Sequence, residues 1–145
     1  PMIPKSLCAF VEQQPYLFVG TIRENISLGH TQLFDVEMMS VIKAVGLEET
    51  VTRRGGLDTS LADRGRNWSV GQQYRLALCR ALLSQRPFLM LDEPFASLDD
   101  ESVGDVIKTI ELAKKAGAGI VVVTHVLPEG LKPDQMIEIQ PQSAE

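Results

Sequence analysis

Apolar positions along this chain follow two different periods. Three short unbroken runs read as strands: LCAFVE (residues 7–12), FLML (88–91) and GIVVVT (119–124). No polar residue interrupts FLML, which predicts a strand buried on both faces. Met136–Ile139 reads as a last strand. Between these runs the spacing lengthens to the helical one. Leu76, Cys79 and Leu83 share a stripe of a helix from about Gln72 to Ser84, capped by Ser69 and limited by Pro87. Val103, Val106, Ile107, Ile110 and Ala113 form the stripe of another, which Asp99 or Asp100 caps and Gly117 ends. Thr21 with Glu24 makes a capping box for TIRENISL. Asp35 is placed to cap a helix through Val45, with Gly46 just past its end. Residues 47–67, containing RRGG and DRGRN, read as loop around short helical pieces.

Strands alternating with helices imply a parallel sheet and an α/β fold. Residues 20–86 hold several helices and no convincing strand, so they read as a helical insertion after the first strand. Residues 7–13 and 87–145 then form the sheet part of a single domain spanning 1–145. That length suffices for one core. A net charge of −5 offers no basic face for nucleic acid. Cys8 and Cys79 lie far apart in apolar surroundings and read as reduced, buried thiols, and no Cys/His spacing suits zinc. No apolar run reaches membrane-spanning length and no signal peptide precedes the first residues, so the expectation is a soluble intracellular domain, free or within a membrane complex. Pro1 fits either removal of an initiator methionine or a cut from a longer chain.

Ligands of parallel sheets bind beyond the carboxyl ends of the strands. Polar groups stand at three such ends: Gln13 after AFVE, Asp92 and Glu93 after FLML, and His125 after IVVVT. Asp92 is placed to hold Mg²⁺, because hard cations prefer oxygen ligands. Glu93 could take a proton from a water attacking a γ-phosphate, and His125 could donate to phosphate oxygens as charge develops there. Gln13 could touch both metal and water. The plainer alternative is a pair of solvated loop carboxylates beside a structural histidine. His30, in a polar loop without a partner, is assigned no role. In WSVGQQ (68–73) a serine cap, a glycine and a helix start present free backbone N–H groups, which suits an anion or, alternatively, only an ordinary capped helix.

In chain order these stretches resemble the nucleotide-binding domain of ATP-binding cassette (ABC) transporters. VEQQPYLFVGTIREN is similar to the family's Q-loop, with Gln13 at the glutamine position, and TIRENI is similar to exporter-type members. WSVGQQYRLALCRALL resembles the signature motif and its helix, matching at Ser69, Gly71 and Gln72. FLMLDEP is similar to Walker B, FASLDD to the D-loop through Asp99, and VVVTH to the switch-histidine loop. ADRG (62–65) resembles the stretch that meets transmembrane coupling helices in exporters. The resemblance implies a partial P-loop NTPase-like parallel sheet of about three or four strands, with a helical subdomain inserted after the first. It implies Glu93, His125 and Gln13 as catalytic residues and Asp92 with Gln13 at Mg²⁺. Ser69, Val70, Gly71 and Gln72 would meet nucleotide held by a second nucleotide-binding domain in a head-to-tail dimer. ATP and Mg²⁺ are the implied cofactors, a transmembrane domain the further partner, and the cytoplasmic face of a membrane the implied location.

This sequence departs from the family pattern at two points. Trp68 and Val70 stand where the signature has leucine and glycine; such variants occur in the family, often at the less active of two sites. More importantly, no glycine is followed by lysine, so these residues contain no G-x-x-x-x-G-K-[ST] loop to wrap the phosphates. In the family that loop precedes the Q-loop, and its strand lies beside the one ending at the switch histidine. GIVVVT is then an exposed apolar edge, MIEI lacks its pairing partner, and self-association through the edge is expected. The expected function is the ATP-binding and ATP-hydrolysing part of an ABC transporter, inactive as this chain alone. The alternative is a non-catalytic module that lends its signature face to another cassette subunit. Whether the genomic sequence upstream of residue 1 continues in frame with a phosphate loop separates the two.

Overall fold

Local signals set most element boundaries in the computed structural model, which describes residues 4–28, 30 and 32–139. Strand β1 (Cys8–Val11) is followed by a loop and a two-residue strand β2 (Gly20–Thr21) that runs into helix α1 (Ile22–Ser27). Helices α2 (Asp35–Ala44) and α3 (Glu48–Arg53), strand β3 (Ser60–Leu61) and helix α4 (Val70–Leu83) come next. Strand β4 (Phe88–Asp92), helix α5 (Asp100–Lys115) and strand β5 (Gly119–Val123) complete the order. The predicted caps close as expected at three helices. Thr21 Oγ1 accepts from the Glu24 N–H at 3.1 Å while the Glu24 carboxylate accepts from the Thr21 N–H at 2.7 Å. Ser69 and Gln72 exchange the same pair of bonds at 3.2 and 3.0 Å. Asp99 accepts from the Ser102 N–H at 2.7 Å.

Asp35 does not cap α2. It is the first helical residue, and the Glu37 carboxylate instead accepts from the Phe34 N–H at 2.8 Å. Asp35 is drawn away by Arg23 of α1, whose guanidinium bonds both Asp35 and Asp58. A short antiparallel ladder, Gly20 opposite Leu61 and Thr21 opposite Ser60, corrects the reading of residues 20–86 as free of strands. Two residues are too few to carry an alternating pattern.

Helix α4 is the hub of the helical region. Its Leu76, Leu78 and Cys79 are fully buried with Ile22 and Ile26 of α1 and Met38 and Ile42 of α2. Two of its arginines tie in distant backbone: Arg75 donates to the Val45 carbonyl at 3.2 Å, and Arg80 to the carbonyls of Asn25 and Tyr16 at 2.8 and 2.9 Å. Burial drives the thiol of Cys79 above its ordinary pKa, whereas Cys8 is only half-buried on the open side of β1, which corrects its reading as a buried thiol; neither forms a disulfide.

The main sheet is parallel in the order β1-β4-β5. Its inner face, Ala9, Val11, Leu89 and Leu91, joins the core with Val106 and Ile110 of α5. Its outer face is open, which corrects the expectation that β4 is buried on both sides: Phe88 is exposed and Met90 half-buried. An unbroken apolar run marks a strand without telling what covers its second face. β5 lies at the sheet edge, as the resemblance implied. Met136–Ile139 is irregular and exposed rather than a strand. Among the described residues no strand lies beside it to accept its backbone bonds, and the preceding segment is tethered through Lys114 to Asp134 at 2.9 Å.

Candidate functional site

Register brings the predicted strand ends together. Val11 of β1 lies opposite Leu91 of β4, and Asp92 lies opposite Val123 of β5. Gln13, Asp92–Glu93 and His125 therefore follow the carboxyl ends of three adjacent strands. Gln13 is exposed and Asp92 half-buried. Glu93 leaves β4 with φ of +50°, a left-handed conformation that costs a non-glycine residue about 1–2 kcal/mol. That turn lets its N–H donate to the Val123 carbonyl at 2.8 Å and swings its carboxylate toward the end of β5.

Three groups of the β5 end meet that carboxylate. The His125 N–H donates to Oε1 at 3.1 Å, and His125 Nε2 lies 3.4 Å from the same oxygen. Thr124 Oγ1 lies 3.3 Å from Oε2 and 2.9 Å from the Val126 carbonyl, with one hydroxyl proton between the two acceptors. The Glu93 side chain is 14% exposed and the His125 side chain 96%. A sheltered carboxylate thus touches an imidazole that reaches into solvent. Such a carboxylate keeps lone pairs free to accept a further proton, and such an imidazole has a free face for an incoming oxyanion.

Tyr74 of α4 adds a group that the sequence reading missed. The side chain is buried and its hydroxyl has no hydrogen-bond partner among the described residues. Burial, then the nearby Asp92 and Glu93 carboxylates, push its pKa up, so it stays a neutral donor. Thr124 was also missed, although a hydroxyl directly before the histidine at a strand end is a readable signal. Tyr74 had no such signal, because its direction depends on the rotation of α4.

At the start of α4 the mutual capping of Ser69 and Gln72 leaves the Val70 and Gly71 N–H groups without an acceptor among the described residues. Gly71 is a close-approach position: a Cβ there would stand 2.6 Å from Leu98 Cδ2 and 3.1 Å from the Ser97 carbonyl oxygen. The segment after Glu93 therefore packs directly on the first turn of α4, while Asp99 is engaged as the cap of α5. Trp68 is buried under Arg54, whose guanidinium carbon sits 4.2 Å above the ring centroid. His30, assigned no role, is exposed and bonds through its N–H to the Ser27 carbonyl.

No cluster of three or more His, Cys, Asp or Glu side chains among the described residues could hold a metal ion. Asp92 and Gln13 would supply two oxygen donors, against about six ligands for Mg²⁺. These residues do not by themselves make a magnesium site. No helix among the described residues is long and apolar enough to cross a membrane.

Comparison with known proteins gives one consistent result. The family model described as "ABC transporter" matches residues 3–96, ending before Asp99 and His125. A putative export ATP-binding/permease protein of Rickettsia felis is 35% identical over 122 residues, covering 83% of this chain and 21% of that protein. The glutathione/L-cysteine transport system ATP-binding/permease protein of Haemophilus influenzae is 37% identical over 132 residues, covering 91% of this chain and 22% of that protein. Among solved structures, a bacterial Atm1-family ABC exporter with ATP bound superposes with a TM-score of 0.75 at 26% identity, over 83% of this chain and 21% of that one. The chain thus spans about a fifth of the length of these relatives. The family match covers more than half of the chain, and the parallel sheet with its helices has the P-loop NTPase-like form of such exporters: the chain belongs to the ABC transporter family.

Proposed function

We propose that this chain supplies the base-bearing part of the ATP-hydrolysing site of an exporter-type ABC transporter. The observation that carries this reading is the Glu93 carboxylate, sheltered at the tip of the central strand and in contact with His125 from the neighbouring one. In that reading Glu93 takes the proton of the water that attacks the γ-phosphate, and His125 donates to the phosphate oxygens. Gln13 contacts that water, and Asp92 with Gln13 are the oxygen ligands this chain would add to a Mg²⁺ held mainly by groups outside it. Residues 20–86 act as the helical subdomain, with 7–13 and 87–145 as the remainder of the core. The N–H groups of Val70 and Gly71, framed by Ser69 and Gln72, face nucleotide bound by a second nucleotide-binding domain, with Asp99 in the D-loop beside that interface. A transmembrane domain is the other partner, the cytoplasmic face of a membrane the location, and transport the process driven.

The 145 residues contain no phosphate loop, so the chain alone is expected to bind Mg-ATP weakly at best and not to hydrolyse it. The test joins an upstream segment carrying G-x-x-x-x-G-K-[ST] to this chain and measures ATPase activity. Activity that appears on joining and falls at least about a hundredfold in Glu93→Gln supports the reading. Joined protein that binds ATP but turns it over equally with Glu93→Gln would instead favour the non-catalytic module. Micromolar ATP affinity of the unjoined chain by calorimetry would contradict the dependence on that loop.

A further inference from the structure

Glu93 is held against its own backbone preference. Its φ of +50° lies in the left-handed region, where a residue with a Cβ does not rest unaided. Three contacts with the end of β5 hold it there. Its N–H donates to the Val123 carbonyl at 2.8 Å, the His125 N–H donates to Oε1 at 3.1 Å, and Thr124 Oγ1 stands 3.3 Å from Oε2. The first contact fixes the backbone and the second fixes one carboxylate oxygen. One anchored oxygen leaves the plane of the carboxylate free to turn, because the last torsion of a glutamate is broad and has no staggered well. The plane is therefore set by whatever meets the second oxygen. Among the described residues, that group is the Thr124 hydroxyl.

Thr124 is suited to the task. A β-branched side chain is stiff at χ1, so its hydroxyl is aimed at little entropic cost. The Val126 N–H donates to Thr124 Oγ1 at 3.3 Å, which ties the hydroxyl oxygen to the loop that carries His125. The hydroxyl proton has two acceptors, Glu93 Oε2 and the Val126 carbonyl at 2.9 Å. The carbonyl is nearer, but an ionised carboxylate makes the stronger bond and draws the proton. Once the carboxylate has taken up a proton, the hydroxyl turns to the carbonyl and is not left unpaired. We propose that Thr124 is the positioning residue of Glu93: its hydroxyl sets the carboxylate plane and so aims the free lone pairs at the water to be deprotonated. The role rests on the reading of Glu93 as the base. Every contact it uses lies between neighbouring strand ends of this chain.

The first arm of the test measures the contact in the chain itself by urea unfolding of Thr124→Val, Glu93→Ala and the double variant. The unfolding constant of the double variant should fall at least about threefold short of the product of the two single changes. Thr124→Ala replaces Thr124→Val in the cycle if the latter folds poorly. Additive changes overturn the proposal. The second arm uses the protein joined to an upstream phosphate loop. A base misplaced by about 1 Å can slow a reaction about a hundredfold, and here one oxygen stays anchored. Thr124→Val should therefore lower kcat about tenfold and leave KM for ATP within about twofold. Thr124→Ser, which keeps the hydroxyl, should recover most of that loss. In a Glu93→Gln background Thr124→Val should cost nothing further, because no base remains to be aimed. A raised KM at unchanged kcat, no recovery with serine, or the same loss on top of Glu93→Gln makes the role purely structural and overturns the proposal. Turnover indifferent to Glu93→Gln overturns the reading of Glu93 as base, and this role with it. Turnover that needs Glu93 but not Thr124 overturns this proposal alone.

Discussion

The helical region and the sheet use the same kinds of residues and reach different degrees of closure. In residues 20–86 the apolar stripes of four helices converge, and Ile22, Ile42, Val45, Leu47, Val51, Leu76 and Cys79 lose all contact with solvent. The buried Arg75, the half-buried Arg80 and Asn25 then spend donors on the carbonyls of Val45, Tyr16 and Phe18, which locks the connections as well as the helices. The sheet encloses one face only, and its outer side leaves phenylalanine and valine in water. The difference teaches where the candidate chemistry stands. Glu93 and His125 extend from the half-covered sheet, whereas the α4 start rests on the closed region, and the two meet where Leu98 packs on Gly71. A site assembled across such a seam responds to whatever finally covers the sheet.

The sharpest way to break that contrast is to remove bulk from both sides. Leu76→Ala should cost about 2–5 kcal/mol, because Leu76 is fully buried in the apolar core and its removal leaves a cavity that stays dry. Against a total stability of about 5–15 kcal/mol that loss is severe. Val121→Ala, on the outer face, should cost under about 1 kcal/mol, since its side chain is already half in water. Urea unfolding of dilute protein gives both numbers. Equal losses would mean that the outer face is covered in solution and the regions do not differ.

Caps were readable because they are local. Thr21 with Glu24, and Ser69 with Gln72, need only a spacing of three residues, and the structure closes both boxes. Asp35 shows the limit: its carboxylate is claimed by Arg23, twelve positions earlier in the chain, and no local rule sees that competitor. The strand runs were readable for the same reason as the caps, but how much of each is covered is a property of neighbours. FLML therefore reads as doubly buried and MIEI as a strand, and both readings fail on the side where nothing packs. The candidate site divides the same way. Strand ends placed Gln13, Asp92, Glu93 and His125, and the same rule reaches Thr124 directly before the histidine, whereas the Tyr74 hydroxyl depends on tertiary geometry.

The seam between the regions can be sharpened with two glycines that occupy helices in opposite circumstances. Gly71→Ala adds a methyl 2.6 Å from Leu98 and 3.1 Å from the Ser97 carbonyl, so the segment after Glu93 must shift. Overpacking of this kind costs about 1–3 kcal/mol, and the better helix propensity of alanine returns about 1 kcal/mol of it. Gly104→Ala in α5 meets nothing within 4 Å and should stabilise by about 1 kcal/mol. Opposite signs in thermal unfolding support the close contact. Two stabilising substitutions would show that α4 and the Ser97–Leu98 segment are not in contact in solution.

The smallest effect asks which region is more sensitive to acid. Asp99 has its pKa lowered by its bond from the Ser102 N–H, and Asp35 by its bond to Arg23. A carboxylate with a lowered folded pKa contributes stability that is present above its unfolded value, near 3.9, and is lost as pH falls through the folded value. Both contributions should therefore disappear on acidification below about pH 4. Asn caps a helix about as well as Asp, so Asp99→Asn should leave stability near pH 7 almost unchanged and flatten the acid loss. Asp35→Asn should flatten it less at moderate salt, because the Arg23 pair is exposed and screened whereas the Asp99 bond is to a fixed backbone donor. Urea midpoints measured across the acid range decide it. If Asp35→Asn removes the larger share, the closed helical region carries the acid-sensitive contact and the seam does not.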